Sequence, residues 1–178
     1  AKSLARLSSG SKIVSPEDDA AGLAQSIKFE SQMNRNTAVR ANLGNAVSFT
    51  QTQDGFLQKV QGALDRMSEL SVLSQDITKT VTDRSNYTVE FSQLQSYISD
   101  IGTKDFNGVS LFASAGESVT IDSDAAKFAM REVDMTSTAS TIGMATIYTA
   151  ASTAIASSSE ASTALINIKE AIQGFADM

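Results

Sequence analysis

Pro16 is the only proline among 178 residues, and the stretch it opens constrains this chain more than any other feature. Ser15 can cap a helix start, and proline at the first helical position gives up only an amide that has no partner there. Glu17, Asp18 and Asp19 then set negative charge against the positive end of the helix dipole. Ser15 with Asp18 approximates a capping box. From Pro16 to about Thr80 no strong breaker intervenes. Gly22, Gly44, Gly55 and Gly62 are isolated, each at a cost of about 1 kcal/mol relative to alanine. Roughly 60 helical residues at about 1.5 Å each would extend about 90 Å, too far for a compact globule of this chain length. The expectation is a rod.

The second half of this stretch is strongly periodic. Leu57, Val60, Leu64 and Met67 step by three and four, and Phe56, Ala63, Leu70 and Ile77 form a neighbouring line at steps of seven. Together they make a broad apolar face. Between Thr50 and Asp54 the pattern weakens, which allows a bend. A second helix is expected over 83–102, where Tyr87, Phe91, Leu94, Ile98 and Ile101 continue the stepping, with Asp83 as cap and Gly102 as stop. The short polar link before it implies an antiparallel return. A third helix is expected from 158, opened by a Ser157–Glu160 capping box. It carries Ala161, Leu165, Ile168, Ile172 and Phe175 at the same spacing.

Two regions depart from helical periodicity. Residues 109–112 and 119–121 are short, β-prone and separated by Ala115-Gly116-Glu117, and Phe128 to Met135 suits a further strand, so a small antiparallel hairpin or sheet is expected here, at one end of the rod. Asn107-Gly108 is a turn signal. Residues 136–157, rich in Ser, Thr and Ala, read as a linker or an irregular helix. Near the amino terminus, Leu4 and Leu7 are helix-spaced until Ser8-Ser9-Gly10 stops them. The fold class expected is mainly α: an elongated antiparallel bundle or rod of three helices with a small β-hairpin region. Its seam is Leu57, Val60, Leu64, Met67, Phe91, Leu94, Ile98, Ile101, Leu165, Ile168 and Ile172.

Composition excludes several function classes. A net charge of −6 disfavours nucleic acid and anionic membrane surfaces. The chain has no histidine and no cysteine, which removes zinc motifs, thiol chemistry and the commonest acid–base residue. Apolar residues make up 42% and aromatic residues 6%, which suits Ala, Leu, Ile and Val seams better than a thick globular core. No apolar run resembles a signal peptide or reaches the length of a membrane span. Asp18 and Asp19 could be read as a carboxylate pair for acid–base or calcium chemistry, but adjacent helical residues diverge by about 100°, and the helix-start reading is preferred. The Ser and Thr residues of 136–157 could carry O-linked sugars or form a plain solvated linker. No catalytic, cofactor-binding or metal-binding residue is expected, and no cofactor.

The strings themselves carry a resemblance. Arg6-Leu7-Ser8-Ser9-Gly10 followed by Asp18-Asp19-Ala20-Ala21-Gly22 closely resembles the amino-terminal region of bacterial flagellins. Gln51-Thr52-Gln53-Asp54-Gly55 with Leu64-Asp65-Arg66-Met67-Ser68-Glu69-Leu70-Ser71-Val72 is similar to the family's long-helix pattern. Asp105-Phe106-Asn107-Gly108-Val109 resembles its turn into a hairpin, Ser118-Val119-Thr120-Ile121 the strand after it. Ser162-Thr163-Ala164-Leu165 with Ile168 and Ala171-Ile172 resembles the start of its carboxy-terminal rod helix. Each string is short, but their order matches over residues 1–135 and 157–178.

This resemblance implies a structural subunit of the flagellar filament, extracellular and exported without a cleaved signal peptide, and not an enzyme. The implied partners are other flagellin subunits and the flagellar export and capping machinery. The alternatives are a hook–filament junction protein, or a homologue serving as a surface adhesin or as a glycan or phage receptor. In a bacterial filament protein, the fit of Asn86-Tyr87-Thr88 to the N-glycosylation pattern is accidental. The resemblance also implies domains: 1–15 as a spoke remnant, 16–135 as the amino-terminal rod part, 136–157 in place of variable outer domains, and 158–178 as the start of the carboxy-terminal rod helix. The family's core-forming terminal helices have no counterpart here, so an internal fragment that stays monomeric is expected. Arg66, Leu70 and Glu90 match the patch by which the flagellin-sensing Toll-like receptor of animals recognises the family, although Ser68 and Leu73 depart from it. The competing reading places Leu70 in the apolar line and makes Arg66 and Glu90 an ordinary surface ion pair.

Overall fold

The computed structural model describes residues 2–15, 17, 19–112, 116–135 and 154–176. Pro16, Asp18, Ala115 and most of the expected 136–157 linker lie outside the described residues. In chain order the elements are α1 (Lys2–Ser9), α2 (Ala20–Gln75), α3 (Val81–Gly102), β1 (Asp105–Phe106), β2 (Val109–Ser110), β3 (Ser118–Thr120), β4 (Lys127–Ala129) and α4 (Ser158–Ala176). The protein is mainly helical with two small strand pairs.

The long helix begins four residues later than the proline suggests. Asp19, not Ser15, closes its first turn: its Oδ1 accepts the Gly22 N–H at 2.9 Å, and its carbonyl accepts the Leu23 N–H at 3.0 Å. A carboxylate here supplies both the missing hydrogen bond and charge for the dipole. Gly22 is what lets it approach. A Cβ at this position would stand 2.5 Å from Asp19 Oδ2 and 3.1 Å from Ile13 Cδ1. Asp19→Ala should therefore fray the first turn by roughly 1 kcal/mol, seen as faster hydrogen exchange of the Gly22 and Leu23 amides. Unchanged exchange would show that the cap carries no stability.

Through Thr50–Asp54, where the apolar pattern thins, α2 continues unbroken. The Thr50 and Thr52 hydroxyls donate back to the Ala46 and Ser48 carbonyls at 3.1 and 2.8 Å. The helix ends at Gln75 rather than near Thr80, because Asp76 starts an Asx turn. Its carboxylate accepts the Thr78 N–H at 2.9 Å and the Thr78 hydroxyl at 2.8 Å. Ile77 thus leaves the apolar line and stands 91% exposed. Thr80 caps α3, and Asp83 is its capping-box partner rather than the cap. Thr80 Oγ1 accepts the Asp83 N–H at 3.2 Å while the Thr80 N–H donates to Asp83 Oδ2 at 2.9 Å. Gly102 is the last helical residue, not the stop; Thr103 caps the end at φ −95°.

The strands form two separate pairs, not one hairpin joining 109–112 to 119–121. Asn107 (φ 54°) and Gly108 (φ 82°) both take positive φ, the geometry of a two-residue hairpin loop. They pair β1 with β2 in antiparallel register, Phe106 opposite Val109. β3 pairs with β4, flanked by Ile121 N–H to the Ala126 carbonyl at 2.9 Å and Met130 N–H to the Glu117 carbonyl at 2.8 Å. The strand expected from Phe128 to Met135 shrinks to 127–129, because Val133 and Met135 turn into the core instead.

Packing divides the chain into two compact units: Ala1–Asn45 with Val119–Phe128, and Ala46–Ser118 with Ala129–Met178. The first boundary falls within α2, after Asn45. In the first unit Val39 is buried, whereas Ile27, Phe29 and Met33 are exposed. The second unit holds the main core. α2, α3 and α4 contribute to one cluster there, joined by Leu111, Phe112, Val133, Met135 and Ile155.

Candidate functional site

The apolar seam of the second unit is the first candidate. Val60, Leu64 and Met67 of α2, Phe91, Ile98 and Ile101 of α3, and Ile168 of α4 are almost completely enclosed. Leu57, Leu94 and Ile172 pack half-buried at its margin. Leu165 is a correction. It is half-buried, and the fully buried line of α4 is Ala161, Ala164, Ile168 and Ala171. Three alanines on one stripe let helices approach closely, so the wider side chains Leu165 and Ile172 are pushed to the flanks.

A charged cluster lies across α2 and α3. Arg66 Nε donates to Glu90 Oε1 at 2.7 Å and Nη2 to Glu90 Oε2 at 3.1 Å, a bidentate pair. Arg66 Nη1 also donates to Glu69 Oε2 at 2.6 Å. The Arg66 and Glu90 side chains are 41% and 42% exposed, so solvent reaches the cluster. Leu70 does not join them. It is fully buried in the apolar line, where no partner can touch it without unpacking the helices. The structure therefore brings together two of the three residues of the expected recognition patch.

The Arg66 hydrogen bonds hold the Glu90 carboxyl below its ordinary 4.5; desolvation opposes them and the charge attraction adds to them. Thr78 lowers Asp76 from 3.8 through hydrogen bonds from its backbone and hydroxyl, and Thr80 does the same for Asp83. The unfolded carboxylates take up protons first, so these contributions are complete above the ordinary values. They are lost as pH falls through the lowered folded ones. Acidifying below 4.5 should reduce the melting temperature, and Arg66→Gln should flatten the Glu90 part of that slope. An identical slope in the variant would remove the pair from the stability account.

Other polar contacts, without a sequence signal, fasten the end of α2. Arg84 of α3 reaches back with Nε to the Ser74 carbonyl and Nη2 to the Asp76 carbonyl, both at 3.0 Å. The buried Ser74 hydroxyl donates to the Ile155 carbonyl at 2.5 Å, and Ser158 Oγ to the Gln75 carbonyl at 3.3 Å. Arg84 and Ser158 thereby satisfy carbonyls left open at the carboxy end of α2, and the Ser74 hydroxyl ties that end to the chain entering α4. They also place the start of α4 beside the end of α2. Only once the turn at 76–80 is known does Arg84 become recognisable as a cap.

A shallow cleft of about 350 Å³ lies between α2 and the strand segments, floored by Phe49, Leu57, Leu111 and Val133. Gln53 Nε2 donates across its edge to the Leu111 carbonyl at 2.6 Å. Among the described residues there is no group of three or more Asp, Glu, His or Cys that could hold a metal ion, and no helix long and apolar enough to cross a membrane.

A family model described as the bacterial flagellin N-terminal helical region matches residues 1–117. The chain belongs to the bacterial flagellin family. It is 38% identical over 112 residues to the "Flagellar filament 31.3 kDa core protein" of Treponema maltophilum, covering 62% of this chain and 39% of that protein. It is 40% identical over 107 residues to a flagellin of Clostridium tyrobutyricum, covering 60% of this chain and 28% of the relative. The chain thus spans well under half the length of these curated relatives. The crystal structure of Bacillus cereus flagellin shares the fold, with a TM-score of 0.65 at 24% identity and 78% of each chain covered.

Proposed function

We propose that this chain is part of a structural, non-enzymatic subunit of the bacterial flagellar filament, an extracellular appendage. The flagellin match over residues 1–117, with relatives named as filament core proteins, carries this reading. The physical arrangement supports it. One seam holds the second unit together, while Ile27, Phe29 and Met33 stay exposed on the first. Apolar side chains left outside a core suit contact with further flagellin subunits, and contacts between unlike surfaces that do not close build filaments. We assign 16–135 and 158–178 to the rod part, 1–15 to the segment leading into it, and 136–157 to the place of outer domains. Passage through the flagellar export and capping machinery belongs to the same reading.

The test is complementation. The complete parent gene is placed in a bacterium lacking its own flagellin and scored for filaments by electron microscopy and for swimming. Filaments from the parent, and none from a Leu64→Asp version, are expected. Parent protein exported but confined to short hook-proximal assemblies would favour the hook–filament junction alternative instead. For a Toll-like receptor, the solvent-reached edge of Arg66 and Glu90 is the proposed contact. Receptor binding by the parent protein that survives Arg66→Ala would reject it.

A further inference from the structure

Asn107-Gly108 sets an asparagine amide before the residue that most favours its cyclisation, inside a two-residue hairpin turn, and the two facts bear on each other. The backbone nitrogen that follows an asparagine can attack its side-chain carbonyl, and glycine is the residue that least obstructs the attack. Both residues are exposed. Asn107 sits at φ 54°, in the left-handed region where ψ is near about +47°. On an L-residue Cβ branches from the backbone nitrogen by about 120° about the Cα–C bond. Cβ of Asn107 and the nitrogen of Gly108 therefore lie nearly opposite one another across that bond. A five-membered ring needs them on the same side. The Cα–C bond of Asn107 must turn through most of a half-circle before the ring can close, and the two-residue loop forbids that while its strands are paired.

The strands are held. Phe106 pairs with Val109 and Asp105 with Ser110, and the Leu111 N–H extends the ladder to the Lys104 carbonyl at 3.1 Å. The Phe106 ring meets Phe49 of α2 edge-on, with centroids 6.0 Å apart. Leu111 is buried, and its carbonyl is held by Gln53.

From this geometry we infer that Asn107 is a deamidation site gated by the β1–β2 hairpin. The amide is protected while the hairpin is closed and is consumed when it opens. On opening, the Gly108 nitrogen loses its proton to hydroxide or buffer base and bonds to Asn107 Cγ. The Cγ–Nδ2 bond breaks and ammonia leaves. Water then opens the cyclic imide at either carbonyl, giving aspartate or isoaspartate. No redox partner is involved. Isoaspartate lengthens the main chain by a methylene, so the two-residue loop no longer closes and Phe106 loses its seat on Phe49. Either product adds a negative charge two residues from Asp105. Each opening that leads to reaction is therefore recorded irreversibly.

The whole chain is incubated in mildly alkaline buffer and followed by peptide mass mapping and isoaspartate assay, beside a free peptide spanning Asp105–Ser110. The folded chain is expected to react at Asn107 at least about tenfold more slowly than the peptide, and the chain unfolded in guanidinium at the peptide's rate. Loosening the hairpin with Phe106→Ala should speed the folded chain roughly tenfold, the loss of an edge-on ring pair and its burial. If that variant fails to fold, sub-denaturing guanidinium on the parent chain replaces it, and the rate should climb with denaturant before global unfolding. Equal rates in folded chain and peptide would overturn the gate. Absence of isoaspartate at residue 107 in the unfolded chain would overturn the site.

Discussion

Phe91→Ala should lower unfolding free energy by about 3–5 kcal/mol, the largest single loss expected here. Phe91 is 1% exposed on α3 and belongs to the cluster that includes Leu64, Met67 and Ile98. Removing the ring deletes buried apolar area and leaves a hole that stiff helices cannot collapse around. Domain stabilities are typically about 5–15 kcal/mol, so the variant should melt far earlier or fail to fold. Urea unfolding followed by circular dichroism measures it. A loss below about 1 kcal/mol would mean that α3 is not anchored through this ring.

Ala164→Leu should destabilise by about 1–3 kcal/mol, while Leu165→Ala, one position along, should cost less than about 1.5 kcal/mol. Ala164 is fully buried, whereas Leu165 is half-exposed at the flank. A leucine forced between α4 and its neighbours must drive side chains off their rotamers or push the helices apart. The comparison is decisive because the spacing of large apolar residues ranks the two sites the other way round. Equal losses, or a larger loss at Leu165, would place the α4 seam on the leucine side.

This contrast marks where periodicity stops being informative. In α2 and α3 the large apolar residues are themselves the seam, so Val60, Leu64, Met67, Phe91, Ile98 and Ile101 were legible from spacing. In α4 the buried stripe is mostly alanine, which a pattern of large side chains passes over. The helix starts tell a similar story. Ser157 with Glu160 forms its box, Ser157 N–H to Glu160 Oε2 at 2.9 Å and Glu160 N–H to Ser157 Oγ at 3.2 Å, because, of the neighbouring serines, only Ser157 has a glutamate three residues on. Ser15 and Asp19 compete for one helix, as do Thr80 and Asp83, and local sequence does not rank two good caps. Leu70 shows the same limit at the candidate contact site. Its line with Ala63 and its place beside Arg66 were both readable, but which of them decides its orientation depends on where α3 packs.

Local chemistry was enough to determine that this chain forms long amphipathic helices and turns at Asn107-Gly108, because capping, spacing and turn preferences act over a few neighbouring residues, while the likeness to flagellins lay in the ordered strings themselves. The tertiary structure alone decided which strands pair, that α4 packs through alanines, that Leu70 is enclosed and that Arg84 and Ser158 close the end of α2. Those outcomes rest on contacts between residues far apart in the chain, such as Ser74 with Ile155, whose energies exist only once the elements have met.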